Sequence, residues 1–420
     1  MMVPAREHYI PLRCSALIDF LCDVDDLGDD ERRRFRRFCQ LVTAIHHHEF
    51  EQRLEELKSS YAPFDPDADT KELAQLSAPE QQRRLNDLYS DFAWLMDHAD
   101  FKHLNREDFE PCHQEVSAWG IPMNVDFGAF EHMALFARGD VVQQRTRRRW
   151  RNFYRAEATD VPVYQRLVLI LKLRPHRRID ASVDKNCVYL KLFKDIPKLD
   201  IKMLLPGARV HLSFLDRSKI GLPLLSGLAA AAWSILKDIG ETFERVFTMS
   251  GGLTTTIWTL ALGGIGYGYR SFYGYLQTKQ RYRLSLTQSL YFQNLDNNAG
   301  VLFRLINDAE EQESRQTILA YYFLWRNAGP QGWTRHEAEQ FAEQFLDKAT
   351  HLQVSFAVSD ALAKLEKLRL VEKCGDRFRA APLTQALERL AESWDNCFND
   401  PTGAALCGPL TPRDAASRGA

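Results

Sequence analysis

Asp65, Asp67 and Asp69 stand at alternate positions in DPDADT, residues 65–70, and are the first residues whose type and spacing could do chemistry. Hard oxygen ligands so spaced resemble the start of a calcium loop and would suit calcium or magnesium. An EF-hand needs Gly at its sixth position and Glu at its twelfth, where Thr70 and Leu76 stand. A turn with Asx caps after Pro63 therefore competes with a cation site, and no other metal ligands are expected. His46, His47, His48 and Glu49 adjoin one another, but consecutive helical residues point about 100° apart and cannot converge on one ion. No GxxxxGK[ST], GxGxxG or GxSxG pattern occurs. GGIGYG at 263–268 lies in an apolar run, where small residues serve packing. No catalytic residue and no cofactor is predicted. The eight cysteines form no CxxC pair, which points to reduced thiols in a cytosol-like compartment.

Two basic runs could meet anionic surfaces. Residues 32–37 are offset by the acids just before them, Asp29, Asp30 and Glu31, whereas no acid interrupts RTRRRWR at 145–151. Arg145, Arg147, Arg148, Arg149 and Arg151 are thus the candidates for lipid headgroup contact, each worth about 1 kcal/mol beside such a surface. A solvated face is the plainer alternative. Over the whole chain the charge nearly cancels: 54 Lys and Arg face 56 Asp and Glu, a net charge of −2. That removes any global argument for a nucleic-acid-coating protein.

Elements must hold these groups, and 420 residues with 45% hydrophobic content can build them in two to three domains. Phe35, Phe38, Leu41, Ile45, Leu54 and Leu57 recur at three- and four-residue steps and predict a long amphipathic helix, capped by Asp29 or Asp30. A second helix is predicted over about 79–100, with Leu85, Leu88, Phe92 and Leu95 on one face. From residue 121 the alternation and β-branched content of segments such as VPVYQRLVLILKLR and NCVYLKLF predict a small mixed sheet.

Residues 220–236 (IGLPLLSGLAAAAWSIL) and 246–269 (VFTMSGGLTTTIWTLALGGIGYGY) carry no charge, and their lengths reach what hydrocarbon requires. Mean hydropathy of −0.35 does not exclude them, because so few residues vanish into the average. A short loop, KDIGETFER, would make the pair a hairpin. Arg217, Lys219, Arg270, Lys279, Arg281 and Arg283 flank it, placing both bulky regions in the cytosol by the positive-inside rule. The start of the chain lacks the basic, then apolar, plan of a secretory signal and is too acidic for a mitochondrial presequence. The expected location is therefore a multi-pass membrane protein, in a bacterial inner membrane or, in a eukaryote, a mitochondrial one.

Beyond residue 282 the pattern is helical again. Thr334 and Glu337 form a capping box before RHEAEQFAEQFLDKA, Ser359 or Asp360 caps another helix, and Cys374-Gly375-Asp376 turns between two short strands. This order suggests a winged helix. Its recognition helix, ALAKLEKLRL, sets Lys364, Lys367 and Arg369 against Glu366, a thin positive face, so a protein partner through residues 300–395 is favoured over nucleic acid. The tail from residue 396 is expected to be disordered.

Several phrases together resemble the uncharacterised transmembrane protein 143 family. They include HYIPLR at 8–13, YAPFDPDADT at 61–70, VPVYQRLVLILK at 161–172 and LKLFKDIPKLDIKMLLPGARVHLSFLDRSKIGLP at 190–223. The likeness continues through 290–324 and through FAVSDALAKLEKLRLV at 356–371. It implies a hairpin of spans and assigns no activity.

The expected fold class is an α+β membrane protein: a helical N-terminal region (1–120), a mixed α+β region (121–218), a two-helix transmembrane hairpin (219–270), and a helical and winged-helix-like domain (271–395) before the tail (396–420). The expected function is non-enzymatic, a membrane-tethered scaffold or adaptor whose partners are the bilayer and a protein. An enzyme or lipid-handling protein with a site in the α+β region is the alternative, and a tethered DNA-binding regulator the third reading.

Overall fold

The computed structural model describes residues 9–24, 27–69, 77–105, 108, 123–148, 156–210, 291–350 and 353–397. The chain divides into two compact units, one of residues 1–110, 127–198 and 295–420, the other of 111–126 and 199–294. In the smaller unit, β2 (Met123–Asn124) pairs antiparallel with β6 (Arg209–Val210), beside a short 3-10 helix over Lys198–Leu204.

The larger unit is built on two long helices. The second helix, α2 (Asp29–Tyr61), begins with Asp29, Asp30 and Glu31 against its positive N-terminal end, after a short α1 (Cys14–Val24). Its apolar residues at helical spacing are buried from Phe35 to Leu57. The partner, α4 (Ala299–Arg326), runs antiparallel to it: Phe38 stacks on Tyr321 at 4.1 Å, His46 meets Ser314, and Lys58 lies over Phe303. Between them in sequence come α3 (Ala78–His98) and a five-stranded sheet. Its order is β1 (Lys102–His103), β3 (Phe130–Arg148), β4 (Ala156–Leu173), β5 (Val188–Pro197) and β7 (Asn294–Asn297). The pairs β1–β3, β3–β4 and β4–β5 are antiparallel. Along β4, Leu167, Leu169 and Leu171 alternate with Val168 and Ile170, and all five are buried, as a central strand covered on both faces requires.

After α4 come β8 (Trp333–Thr334), α5 (Arg335–Thr350), α6 (Val358–Lys367), β9 (Val371–Cys374), β10 (Arg377–Ala380) and α7 (Leu383–Asn396). The strands form an antiparallel sheet in the order β8-β10-β9. The capping box is present in both halves, Thr334 N–H to Glu337 Oε2 at 2.7 Å and Glu337 N–H to Thr334 Oγ1 at 3.3 Å.

Two apolar cores result. One joins α1, the first half of α2, the second half of α4 and the elements from β8 to α7. The other joins the second half of α2, α3, the sheet and the first half of α4. Each long helix thus passes from one core into the other.

The membrane reading is corrected here. Among the described residues no helix is long and apolar enough to cross a membrane. The long helices α2 and α4 carry charged groups along their length, Arg32–Arg37 and Glu49–Lys58 in α2 and Arg304–Arg315 in α4, and bury their apolar faces against protein. The expected spans, 220–236 and 246–269, lie outside the described residues. The described residues form a mixed α+β fold, and among them a transmembrane hairpin has no support. The lipid bilayer as partner and the multi-pass membrane location, bacterial or mitochondrial, lose their support with it.

Arg145, Arg147 and Arg148 belong to the end of β3, in register with Thr159, Glu157 and Ala156 of β4, while Arg149 and Arg151 lie outside the described residues.

Candidate functional site

Where the two cores meet, α4 turns polar on every side. Gln312, Glu313, Ser314, Arg315, Gln316 and Thr317 are consecutive and all buried, so a full helical circumference of polar groups is enclosed by protein. Such groups are costly to bury unless paired.

Arg315, 1% exposed, donates to Leu12 O at 2.8 Å, Glu311 Oε2 at 3.0 Å and Gln312 Oε1 at 3.2 Å. Gln312 Oε1 also accepts the Ile10 N–H at 3.2 Å, so the segment ahead of α1 is tied to α4 through its backbone. One turn earlier, buried Arg138 of β3 donates to Asp308 Oδ2 at 2.7 Å and to Ala99 O at 3.0 Å, with the rings of Tyr9 and Phe101 over its guanidinium.

The turn after α3 supplies the next contact. Asp100 takes the left-handed conformation (φ 56°), and the Phe101 and Asp100 N–H groups reach back to Met96 O and Asp97 O, closing the helix as a Schellman motif. That geometry turns the Asp100 carboxylate toward α4, where Oδ2 accepts from Gln312 Nε2 at 2.6 Å and Gln316 Nε2 at 3.2 Å. On the neighbouring side His98, held by Trp94 O at 2.8 Å, brings Nε2 to 3.5 Å from Glu313 Oε1. Glu313 also pairs with Lys364 of α6, whose Nζ lies 3.9 Å from Glu49 Oε2 and 5.6 Å from the Phe50 ring. A small polar cleft opens among the end of α3, α4 and the start of α6.

The three histidines of α2 go three ways, as helical geometry demands. His46, 1% exposed, places Nδ1 3.1 Å from Ser314 Oγ, and burial together with the nearby Lys364 charge holds its pKa well below the usual imidazole range. His47 reaches Glu310, and His48 meets Gln52 and the edge of Trp394. The aspartates of DPDADT serve a turn: Asp65 Oδ1 accepts the Asp67 N–H at 3.0 Å, and Asp67 Oδ2 accepts from Asn298 Nδ2. Asn298 in turn pairs with the Leu190 backbone through both its N–H and its Oδ1, which fastens the loop to β5. Burial raises the Asp65 carboxyl above its usual range, while Asp69 is exposed. Among the described residues no group of three or more His, Cys, Asp or Glu is arranged to hold a metal ion.

None of the residues in the polar band stood out from spacing alone. The available signal was EEQESRQT, an unbroken polar run between LFRLI and ILAYYFL within one helix, which no amphipathic stripe explains.

Residues 164–300 match a family model described as a protein of unknown function (DUF3754). The matched stretch runs from β4 to the first residues of α4 and covers about a third of the 420 residues. It assigns no activity, and it does not extend to the transmembrane protein 143 naming. No solved structure matches the chain.

Proposed function

We propose that the chain is a non-enzymatic adaptor or scaffold that engages a protein partner through its winged-helix-like unit, residues 300–395. The observation that carries this reading is the internal use of the unit's cations. Lys364 is committed to Glu313 and Glu49, Arg377 to Gly332 O and Glu337, and Arg379 and Arg389 to Glu372. The groups left on α6 and the strands after it are Lys367, Arg369 and Lys373 against Glu366 and Asp376. So small a net positive charge offers little of the counterion release that drives phosphate-backbone binding, whereas protein interfaces tolerate mixed charge. The phrases shared with the transmembrane protein 143 family at 356–371 and up to residue 324 fall on α6 and α4, and we read them as the framework of this unit.

The test uses the full chain with a photo-crosslinking residue in place of Lys367 or Lys373 on the proposed face, or of Gln82 on α3. The same partner captured from both face positions and not from Gln82 is the expected result. Salt-sensitive retention on DNA at low ionic strength, lost in Lys367→Glu, would replace it with the nucleic-acid reading.

A further inference from the structure

Beside the second core, neighbouring strands of the five-stranded sheet present cations to one another. Arg138 of β3 stands opposite Arg166 of β4, and Arg166 stands opposite Lys194 of β5. We propose that Arg166 and Lys194 bind a phosphate group, inorganic or carried by a small organic monoester, a property that goes beyond the adaptor reading and does not depend on it.

The strand register fixes this row. Phe136, Val168 and Leu192 form the adjacent rung and are buried in the second core, and two residues along each strand the same face carries Arg138, Arg166 and Lys194. Side chains directly opposite one another start only about 5 Å apart, and like charges so placed repel. Packing relieves this for Arg138, which is buried and held by Asp308 at 2.7 Å and Ala99 O at 3.0 Å. Nearby Arg304 of α4 is paired with Asp296 at 3.1 Å, and on the next rung Lys198 is paired with Asp140. Arg166 and Lys194, both half-buried, lack such a match. The Arg166 guanidinium donates to Gln165 O at 2.9 Å, the carbonyl of its own neighbour in the chain, and Lys194 makes no ion pair among the described residues. Asp308 and Asp195 reach Arg166 electrostatically, but Asp308 is committed to Arg138, and Asp195 Oδ1 accepts from Gln143 at 3.1 Å. Burial first, then the Arg138 charge and that of Arg304, outweigh them and hold the Arg166 pKa below its usual range.

Two adjacent cations that reach solvent and lack full partners match an anion of more than one charge. A phosphate monoester carries about −1.5 to −2 at neutral pH, and its oxygens suit the planar guanidinium fork of Arg166 while another accepts from the Lys194 ammonium. A carboxylate brings a single charge and would be satisfied by either cation alone. Chloride brings charge without a bidentate geometry. A bound phosphate would also remove the repulsion within the row, doing for Arg166 and Lys194 what Asp308 does for Arg138.

The experiment is a calorimetric titration of the full chain at neutral pH and constant ionic strength, with thermal midpoints measured in parallel. The probes are inorganic phosphate and glycerol phosphate, and the controls are glycerol, acetate and chloride. Saturable phosphate binding with a Kd on the order of 1 mM is expected. It should weaken about tenfold in Arg166→Gln and in Lys194→Gln, each of which removes a charge-assisted hydrogen bond. Tighter binding of glycerol phosphate assigns the site to an organic monoester, and tighter binding of inorganic phosphate assigns it to the free ion. Without ligand, Lys194→Gln should leave the thermal midpoint at low salt unchanged or higher, because it relieves repulsion; a lower midpoint makes Lys194 a structural cation and counts against the site. No saturable response to either phosphate, an equal response to acetate or chloride, or binding unchanged in Lys194→Gln overturns the proposal. Should Arg166→Gln not fold, Lys194→Gln decides the matter alone.

Discussion

Two ionisable groups, part-buried Asp91 and buried His46, give the larger unit opposite responses to pH. Asp91 on α3 is pushed up to about 6 by burial, then by Glu56 and Asp87, against the pull of Arg53. The native state therefore holds its proton more tightly than the unfolded chain, whose aspartate titrates near 4. Stability falls as pH rises from about 4 to about 6, and the penalty is complete above that. The full shift would correspond to about 3 kcal/mol, but the group is only part-buried, and screening reduces it to about 1 kcal/mol. Asp91→Asn should raise the urea midpoint at pH 7 and leave it unchanged at pH 4. His46 acts in the other sense. Its folded pKa is depressed, so the unfolded state binds the extra proton, and stability present above about 6.5 is lost as pH drops below it. His46→Leu also removes a buried Nε2 that has no hydrogen-bond partner. In that variant the decline of stability between about pH 6.5 and 5 should flatten; an unaltered acid limb in denaturation curves would contradict this assignment.

At the level of elements, the connection from α4 to β8 depends on two glycines of different kinds. Both Gly329 and Gly332 take positive φ, +61° and +67°, where a Cβ is strained. Around Gly329 an added methyl would meet open space, whereas at Gly332 it would lie 2.4 Å from Phe378 O, in the middle of β10. Gly329→Ala should therefore cost about 1 kcal/mol, and Gly332→Ala at least about 2 kcal/mol, because the β8–β10 pairing must also open. Thermal midpoints of the two variants check the difference. The same residue-to-element logic explains the C-terminal turn of α3, where Asp100 adopts the position usually given to glycine. Its side chain gains two amide donors from α4 in exchange for the strain.

For the larger unit as a whole, the decisive fact is that α2 and α4 each run through both cores. Losing either core removes half of the packing that holds the same two helices, so the unit should unfold in one transition. Phe38→Ala in the first core and Leu190→Ala in the second should each cost roughly 2–5 kcal/mol. In both variants, hydrogen exchange should accelerate to the same extent in α4, which both cores share, and in β4, which lies in one. Accelerated exchange confined to the core that carries the substitution would show instead that the cores are separate folding units. The polar band of 312–317 sits at the junction, and its hydrogen bonds tie α4 to residues before α1 and to the turn after α3.

What could be read from the sequence was local. Helical spacing located α2 and α3, with Phe35, Phe38, Ile45, Leu85, Leu88, Phe92 and Leu95 on their buried faces, because a 3.6-residue period survives whatever the helix packs against. Capping chemistry located the start of α5, since Thr334 and Glu337 satisfy each other without outside help. Consecutive placement on a helix was enough to deny His46, His47 and His48 a shared ion. Charge-free runs, in contrast, invited a membrane hairpin, and the described fold holds no helix of that kind. The strand register that pairs Arg145, Arg147 and Arg148 with Thr159, Glu157 and Ala156 is likewise something spacing within one segment cannot reveal. The polar cleft depended wholly on tertiary structure. Asp100, Glu313 and Lys364 are separated by 213 and 51 residues in sequence, and nothing in their own neighbourhoods marks them. They meet because the antiparallel pairing of α2 with α4 carries the end of α3 and the start of α6 to one polar turn. Burial there converts ordinary surface residue types into a paired, partly unsatisfied network.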